Sequence, residues 1–536
     1  MKISAFKVGN YRSLREVSLD KLGNLNLLIG RNSGGKSNIL EAMSLFFSEF
    51  EPVKGTTTGL NEYFWYKGST RPITFEVTLE LEGDKPAGLS PEDQAFLNAV
   101  FGKALPPTLK ITRSLLNVQG AWKTDGMVWG TTTLVKDDAL QLSPNLKIDS
   151  PTLDRILRII STLVKNKYRL VGAGRDAKGG DRFRTTLLDE NTQSRLWTLQ
   201  QSTTAQDEER YSEFEEAFSD LTSFRLDPAQ ARLMVKKDSK RFPLGLEGGG
   251  TQGTANLLFT ALVESDDTTV LGIEEPESHG HPGLQRRLCR EIEKISLDRQ
   301  VFITTHSPVL VDAARGGTTW LVDYSDGQTR VVRADEFEGV LRDLGARPGD
   351  VLFSDSVVFV ERSSEKIVLE AFARKLGIDL AHVWIVPVRG MGNSSVTLEA
   401  AVLSANKVVP TFVILGSEAT AQAAQLVDGK SITKQQVHVW KSGSIDAYYP
   451  VDTLRDALQA ISTRYSFNLN VNKYVQEVQD GKVHPNEIDI GDKVKQLESS
   501  WETALAVEVA KGLEKSQSEP STEIRDTLLA ATSPPA

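Results

Sequence analysis

The chain has 536 residues, 40% of them apolar and 25% charged, and a formal net charge of −9. That length exceeds one core of ordinary size, so two or three domains are expected, and no apolar run approaches the roughly 18 residues that cross a bilayer, which excludes a membrane-spanning class. The acidic balance leaves any nucleic-acid contact to a local basic patch, and the single cysteine, Cys289, excludes an internal disulfide and a Cys-based zinc site.

Met1 opens directly on KISAFKVGNYRSL, without the apolar stretch and small-residue cleavage site of a signal peptide, so the expected location is the cytoplasm. The first fifty residues read as strand, loop, strand, phosphate loop, helix. ISAFKVGNYRSL and VSLDKLGNLNLLIG alternate apolar and polar residues around Gly and Asn punctuation. SNILEAMSLFFSEF spaces Ile39, Leu40, Met43, Phe46 and Phe47 at helical intervals behind Ser37. Between them, LLIGRNSGGKSNIL satisfies Gly30-x4-Gly35-Lys36-Ser37. Its glycines let backbone N–H groups wrap phosphates, Lys36 reaches the terminal phosphates, Ser37 offers a hydroxyl to Mg²⁺, and the helix N-terminus favours negative charge. The candidate nucleotide-binding residues here are Gly30, Asn32, Gly34, Gly35, Lys36, Ser37 and Asn38.

Residues 72–82, PITFEVTLELE, alternate strictly and predict a half-exposed strand; LPPTLKITRSL predicts another. Over about 100–240 the pattern is less regular: ILRIISTLVKNKYRLVGAGR reads as a helix running into a strand, and TAQDEERYSEFEEAFSDLTSF as a charged helix. Three basic stretches, KNKYR (165–169), GRDAKGGDRFR (174–184) and VKKDSKR (235–241), are the candidates for phosphate contact, although such runs more often form solvated faces.

From 245 to 312 the order becomes Gly-rich turn, helix, buried strand, helix, buried strand, which is α/β wiring. LGLEGGGTQGTANLLF places Gly248, Gly249 and Gly250 before a helix as a second anion-binding nest. Two nests in one chain point to ATP held between two subunits. TTVLGIEEPESHGHP puts two acids at a strand end, with Glu274 expected on the metal side and Glu275 expected to polarise the attacking water. His279 and His281 nearby read as loop residues. RQVFITTHSPVLVD is a buried strand ending in Thr305-His306-Ser307-Pro308, with His306 expected beside the terminal phosphate.

P-loop, Gly-rich signature, EEPE-x-x-x-HP and THSP in this order resemble the ABC-type ATPases of the SMC, RecF and OLD group, over roughly residues 1–340. The resemblance implies two heads closing on ATP, each giving its P-loop to one nucleotide and its signature loop to the other. It therefore implies a homo-oligomer with ATP and Mg²⁺ as cofactors. Glu274 stands where most members have Asp, and GGGTQG lacks the serine of the common LSGGQ form, which makes it OLD-like rather than transporter-like. No long heptad stretch interrupts the ATPase, which excludes an SMC coiled-coil arm.

Beyond the Pro-Gly punctuation of ARPGD (346–350), strand SVVFVE, helix EKIVLEAFARKLGI, strand VWIVPV, a helix near VTLEAAVLSANK, and strands TFVIL and VHVW make a second compact α/β unit. The last ninety residues are polar and mostly helical and end in the tail ATSPPA. The second unit resembles the Toprim domain fused to OLD-family nucleases. That resemblance implies a Glu after the first strand, an Asp-x-Asp at a later strand end, and a further acid downstream. Glu361 and Glu365 match the first acids, the Asp-x-Asp has become Gly416-Ser417-Glu418, and Asp446 stands downstream. Mg²⁺ takes near-octahedral oxygen ligands, and Arg362 beside Glu361 is an always-charged competitor for that carboxylate. A degenerate Toprim site of Glu361, Glu365, Glu418 and Asp446 is therefore expected.

The expected architecture is α/β: an ABC-type P-loop ATPase over 1–345 with an insertion at about 100–240, a smaller Toprim-like domain over 346–450, and a helical region over 451–536. The expected function is an ATP-binding and hydrolysing, ATP-controlled oligomeric scaffold or sensor in prokaryotic antiphage defence that regulates a separate effector protein. Two other readings stay open: an ATP-regulated, metal-dependent DNA endonuclease using Glu361, Glu418 and Asp446, and an ATP-dependent DNA-binding repair clamp.

Overall fold

The computed structural model describes residues 1–48, 50, 54–56, 71–81, 89–101, 107–116, 121–130, 132–136, 139–140, 150–172, 196–229, 232–237, 240–263, 269–278, 280–314, 316–343, 346–388, 398–466, 468–490, 497 and 500–532. The basic stretch 174–184, residues 238–239 of VKKDSKR, His279 and the last four residues of the tail lie outside them. Internal contacts divide the chain into two units, Met1–Arg333 and Ala334–Ala536. The ARPGD stretch falls in the second, where Pro348 opens the short helix Pro348–Leu352.

The strands of the first unit are β1 (Lys2–Tyr11), β2 (Leu14–Asp20), β3 (Leu25–Ile29), β4 (Lys54–Thr56), β5 (Ile73–Glu80), β6 (Thr108–Leu116), β7 (Ala121–Trp129), β8 (Thr132–Lys136), β9 (Ala139–Leu140), β10 (Tyr168–Val171), β11 (Arg225–Ala229), β12 (Arg232–Lys237), β13 (Lys240–Pro243), β14 (Val270–Glu274), β15 (Gln300–Thr305), β16 (Thr318–Ser325) and β17 (Gln328–Arg333). They form an antiparallel sheet in the order β2-β1-β5-β6-β7-β8-β9 with β4 on β7, a mainly parallel sheet β10-β14-β15-β3-β16-β17, and a small sheet β11-β12-β13. Patterning separates the first two. In β5, Ile73, Phe75, Val77 and Leu79 are buried and alternate with more exposed residues, the signature of a sheet with one wet face. β3 and β14 are buried at every position, as parallel strands covered on both faces are.

Helix Lys36–Ser48 joins the two sheets. Ile39, Leu40, Met43, Leu45, Phe46 and Phe47 are all buried along it. Phe46 meets Phe75 of β5 at 5.8 Å between ring centroids, and Phe47 stacks on Tyr168 of β10 at 6.0 Å. One apolar core thus runs from the antiparallel sheet through this helix to Val270 and Phe302 of the parallel sheet. Burial of the helix in that core fixes where its first turn, and the loop before it, must sit.

The parallel register then sets the site. Ile29 lies opposite Thr305, and Glu274 opposite Thr304, so β3, β15 and β14 end along one edge. Ligands of open α/β sheets bind at such carboxyl ends. Cys289 sits buried on helix Pro282–Asp298, its thiol pushed up to about 12 by burial, as a small core residue does.

The second unit adds β18 (Ser356–Val360), β19 (Val383–Pro387), β20 (Thr411–Leu415) and β21 (Val437–Val439), all parallel, in the order β19-β18-β20-β21. Helices Val451–Arg464 and Trp501–Leu513 share its core: Leu454, Leu458, Leu505 and Val509 cluster with Val358, Phe412 and Ile414. Among the described residues, no helix is long and apolar enough to cross a membrane.

Candidate functional site

The loop between β3 and helix Lys36–Ser48 is shaped by its glycines. Gly30 and Gly35 have φ of +134° and +106°. A Cβ at Gly30 would overlap the Val322 carbonyl, and one at Gly35 the Thr329 hydroxyl, so only glycine makes this turn. Gly34 is held by the Thr329 hydroxyl, which donates to its carbonyl at 2.9 Å. Lys36 folds back and donates to the carbonyls of Gly30 at 2.9 Å and Arg31 at 2.8 Å. Burial lowers its pKa to about 8, against the opposing pull of the Glu275 and Glu277 carboxylates. Asn38 donates from Nδ2 to Ser13 Oγ at 2.7 Å and accepts from Arg12 Nη1 at 3.2 Å; Arg12 also pairs with Glu41. Asn32 and Ser37 are exposed.

The second segment arrives from β14. Glu274 is buried at the strand end. Glu275 follows at φ +41°, a conformation L-residues adopt rarely. Its N–H is shared between the Thr304 carbonyl at 2.9 Å and Thr304 Oγ1 at 3.2 Å, which holds the strained turn. The turn brings Glu275 Oε1 to 3.3 Å from His306 Nε2. His306 Nδ1 lies 3.5 Å from Lys36 Nζ. Lys36, His306 and Glu275, from three segments, therefore form one contiguous chain. Burial, reinforced by the Lys36 charge, lowers the His306 pKa, while Glu275 opposes the shift.

Sequence reasoning passed over Glu277. Its Oε1 accepts from Thr305 Oγ1 and from the His306 N–H, both at 2.7 Å, and burial raises its pKa. The available signal was EEPE itself, which carries a third acid on the same turn. His281 caps helix Pro282–Asp298, its Nδ1 accepting from the N–H groups of Gly283 at 3.1 Å and Leu284 at 3.2 Å.

Ser37 and Glu274 offer oxygen donors of the kind Mg²⁺ takes beside a nucleotide phosphate. Among the described residues, no three His, Cys, Asp or Glu side chains converge as a ligand group. That donor set suits an ion that keeps waters and phosphate oxygens in its shell. Bound there, Mg²⁺ would neutralise charge on the transferred phosphoryl group.

Gly248 caps helix Gly249–Leu258, and a Cβ built on it would meet nothing within 4 Å. Leu246 just before it is 79% exposed. Gly248 and Gly249 are exposed and Gly250 partly so, which leaves the nest facing open space.

In the second unit Glu361 directly follows β18 and is buried; its Oε2 accepts from the Gly416 N–H at 3.1 Å. The Glu361 N–H donates to Glu365 Oε2 at 2.9 Å. Burial, followed by the Glu361 charge, raises the Glu365 pKa to about 7. A Cβ at Gly416 would come within 2.6 Å of Glu418 Oε2, so the exposed Glu418 folds back over that glycine. Asp446 is buried, paired with the Ser444 hydroxyl, and accepts from the Asn486 N–H at 3.3 Å. Arg362, expected to compete for Glu361, instead places Nη1 at 3.2 Å from Glu502. Helix Trp501–Leu513 brings Glu502 alongside, and that ion pair draws the guanidinium to a carboxylate other than Glu361.

Residues 25–312 match the family described as "AAA domain, putative AbiEii toxin, Type IV TA system". Residues 352–415 match the TOPRIM domain of overcoming lysogenization defect protein-like chains. An uncharacterized protein of Methanocaldococcus jannaschii is 36% identical over 66 residues, which span 12% of this chain and 30% of that relative. Among solved structures, the SMC head domain from Thermotoga maritima matches with a TM-score of 0.37 at 13% identity, covering 62% of this chain and 99% of that one. The Smc head domain with an extended coiled coil bound to the C-terminal domain of ScpA, from Pyrococcus furiosus, matches with a TM-score of 0.40 at 13% identity, covering 64% and 99%. Since the first match takes in more than half of the chain, the protein belongs to that AAA-domain family and is an ATPase carrying an OLD-like Toprim domain.

Proposed function

We propose that this ATPase is an ATP-controlled oligomeric scaffold or sensor in prokaryotic antiphage defence, regulating a separate effector protein, with a Toprim-like site that has lost nuclease chemistry. The observation that carries this reading is the hydrogen bond from the Gly416 N–H to Glu361 Oε2 at 3.1 Å. In a working acid pair a carboxylate would stand at position 416 and share a metal with Glu361. Here position 416 carries no side chain, and what it offers Glu361 is a backbone N–H to one oxygen, Oε2. The toxin description of the matched ATPase family and the OLD-like Toprim match support a defence role in the cytoplasm.

At the ATP site the P-loop binds the phosphates, Lys36 reaches the terminal one, Glu275 accepts the proton of the attacking water, and His306 senses the phosphate between them. Ser37 and Glu274 would hold Mg²⁺ when it is bound. The open nest at Gly248, Gly249 and Gly250 receives the ATP of a second copy, which makes oligomer assembly depend on the nucleotide. The test is plasmid nicking with Mg²⁺ or Mn²⁺, with and without ATP, for the protein and its Glu361→Ala variant. Intact plasmid alongside continuing phosphate release is the expected result. Nicking that disappears in the variant would make the protein a nuclease and end this reading.

A second reading, a clamp on DNA, is favoured by one feature of the small sheet. Arg225 lies directly opposite Lys236, and Lys236 opposite Arg241, all three exposed. Like charges directly opposed destabilise a sheet, and Asp227 offsets Arg241 at 2.7 Å. Such a row on an acidic chain suits an anionic backbone. The double charge reversal Arg225→Glu, Lys236→Glu is expected to weaken duplex binding at least about 10-fold and to flatten its log–log salt slope by roughly 2. Unaltered affinity and slope would make the row a solvated face.

A further inference from the structure

We propose that Glu277 is the positioning residue of His306, a clamp that holds the imidazole between Lys36 and Glu275 and so acts on the hydrolytic step rather than on ATP binding. This rests on the reading of His306 as a residue of the phosphate site.

The geometry is that of a grip on one residue from both ends. Glu275 and Glu277 share a turn that is closed by hydrogen bonds from the Ser278 N–H to the Glu275 carbonyl at 2.9 Å and from the Gly280 N–H to the Glu277 carbonyl at 2.8 Å. From that turn the Glu275 carboxylate meets the His306 ring at 3.3 Å, while Glu277 Oε1 takes the His306 backbone N–H at 2.7 Å. The same oxygen takes the Thr305 hydroxyl at 2.7 Å. Thr305 Oγ1 in turn accepts from the Ser307 N–H at 2.9 Å, and Ser307 Oγ donates to Gln285 at 2.7 Å. Three consecutive residues at the exit of β15 are thereby tied, directly or through one hydroxyl, to a single carboxylate oxygen.

Stability alone does not account for the arrangement. The other oxygen, Oε2, is buried without a hydrogen-bond partner, and a half-satisfied buried carboxylate disfavours the folded state. A polar group kept under such conditions is doing positional work that an apolar residue would not do. What it positions is small and exacting: His306 Nδ1 sits 3.5 Å from Lys36 Nζ, and a shift of an ångström would break contact with either neighbour.

The test uses the whole 536-residue chain with Glu277→Ala, Glu277→Gln, His306→Ala and the double variant Glu277→Ala, His306→Ala. Glu277→Ala is expected to lower kcat at least about 10-fold with KM for ATP within about 2-fold, because the hydrogen bonds it removes go to Thr305 and His306 rather than to the P-loop. Glu277→Gln is expected to restore kcat to within about 3-fold, since its carbonyl oxygen can accept both donors. In the His306→Ala background the Glu277→Ala change is expected to add nothing, the mark of two residues acting as one unit. Losses that multiply in the double variant, or a Gln variant as poor as Ala, overturn the clamp while leaving His306 its role. Full turnover in His306→Ala overturns both. Should Glu277→Ala fail to fold, Thr305→Val removes one arm of the clamp, and its loss of kcat must likewise vanish in the His306→Ala background or the inference falls.

Discussion

Replacing Glu275 with Gln is expected to lower ATP turnover by about 10²- to 10³-fold while ATP binding persists, the loss typical of removing a general base. The substitution is nearly isosteric. It keeps the backbone at φ +41°, held by Thr304, and it keeps a polar group within reach of His306 Nε2, now 3.3 Å from Glu275 Oε1. What it removes is the capacity to take a proton from water at the end of β14. Single-turnover phosphate release read beside equilibrium binding of a fluorescent ATP analogue separates the two effects. Binding retained with hydrolysis nearly gone supports the role given to Glu275. Turnover at the normal rate would take the role away from Glu275 and direct attention to Glu274, its buried neighbour on the same strand end.

Replacing Lys36 with Ala is expected to weaken ATP binding about 100-fold or more, roughly 2.7 kcal/mol, and to abolish turnover as a consequence. In the proposed role its ammonium meets the phosphates, and two loop carbonyls at 2.8 and 2.9 Å hold it in place. Desolvation already disfavours that charge, as the pKa of about 8 indicates, and a polyphosphate bound beside it would favour the charged form again. Truncation to Ala also removes the packing of the buried stem, so Lys36→Met, which keeps that packing and, like Ala, donates nothing to the Gly30 and Arg31 carbonyls, belongs in the same titration. Calorimetric titration with ATP and Mg²⁺ gives the affinities. If both variants bind ATP as the parent does, the lysine is not a phosphate ligand and the Gly30–Ser37 loop does not work as proposed.

These two experiments probe residues whose place in a motif was readable before any fold was known, because the information is local. Gly30, Gly35 and Lys36 sit within one turn, where positive φ, the missing Cβ and the start of a helix all follow from residue types at short spacing. The buried strands ahead of Glu274 and His306 were equally plain as continuous apolar runs. Parts of the insertion were not. β7 puts Lys123 and Asp125 at the same alternate positions as Met127 and Trp129 and holds Gly126, and β11 contains Pro228, so neither carries a clean alternation. Their strand state comes from cross-strand neighbours, and a sequence window does not contain those.

The Toprim-like unit divides in the same way. Glu361, Glu365, Glu418 and the glycine at 416 were visible as a strand-end pattern with one acid missing. The direction of Arg362 was not, because Glu502 lies 140 residues further on, at the start of a helix whose packing against helix Ser363–Leu376 decides the pairing. Nor was the raised pKa of Glu365, which depends on how deeply that packing buries it beside Glu361.

By itself, then, the sequence determined a P-loop ATPase joined to a Toprim-like α/β unit, through glycine spacing, strand and helix periodicity, and acids at strand ends. Only the tertiary structure decided that Lys36, His306 and Glu275 form one chain, that Glu277 grips the histidine's backbone, and that the Gly416 N–H meets Glu361 Oε2. The reason is register. Parallel pairing sets which strand ends stand side by side, that pairing is fixed by burial of whole strands and helices, and side-chain contacts between distant segments inherit their geometry from it.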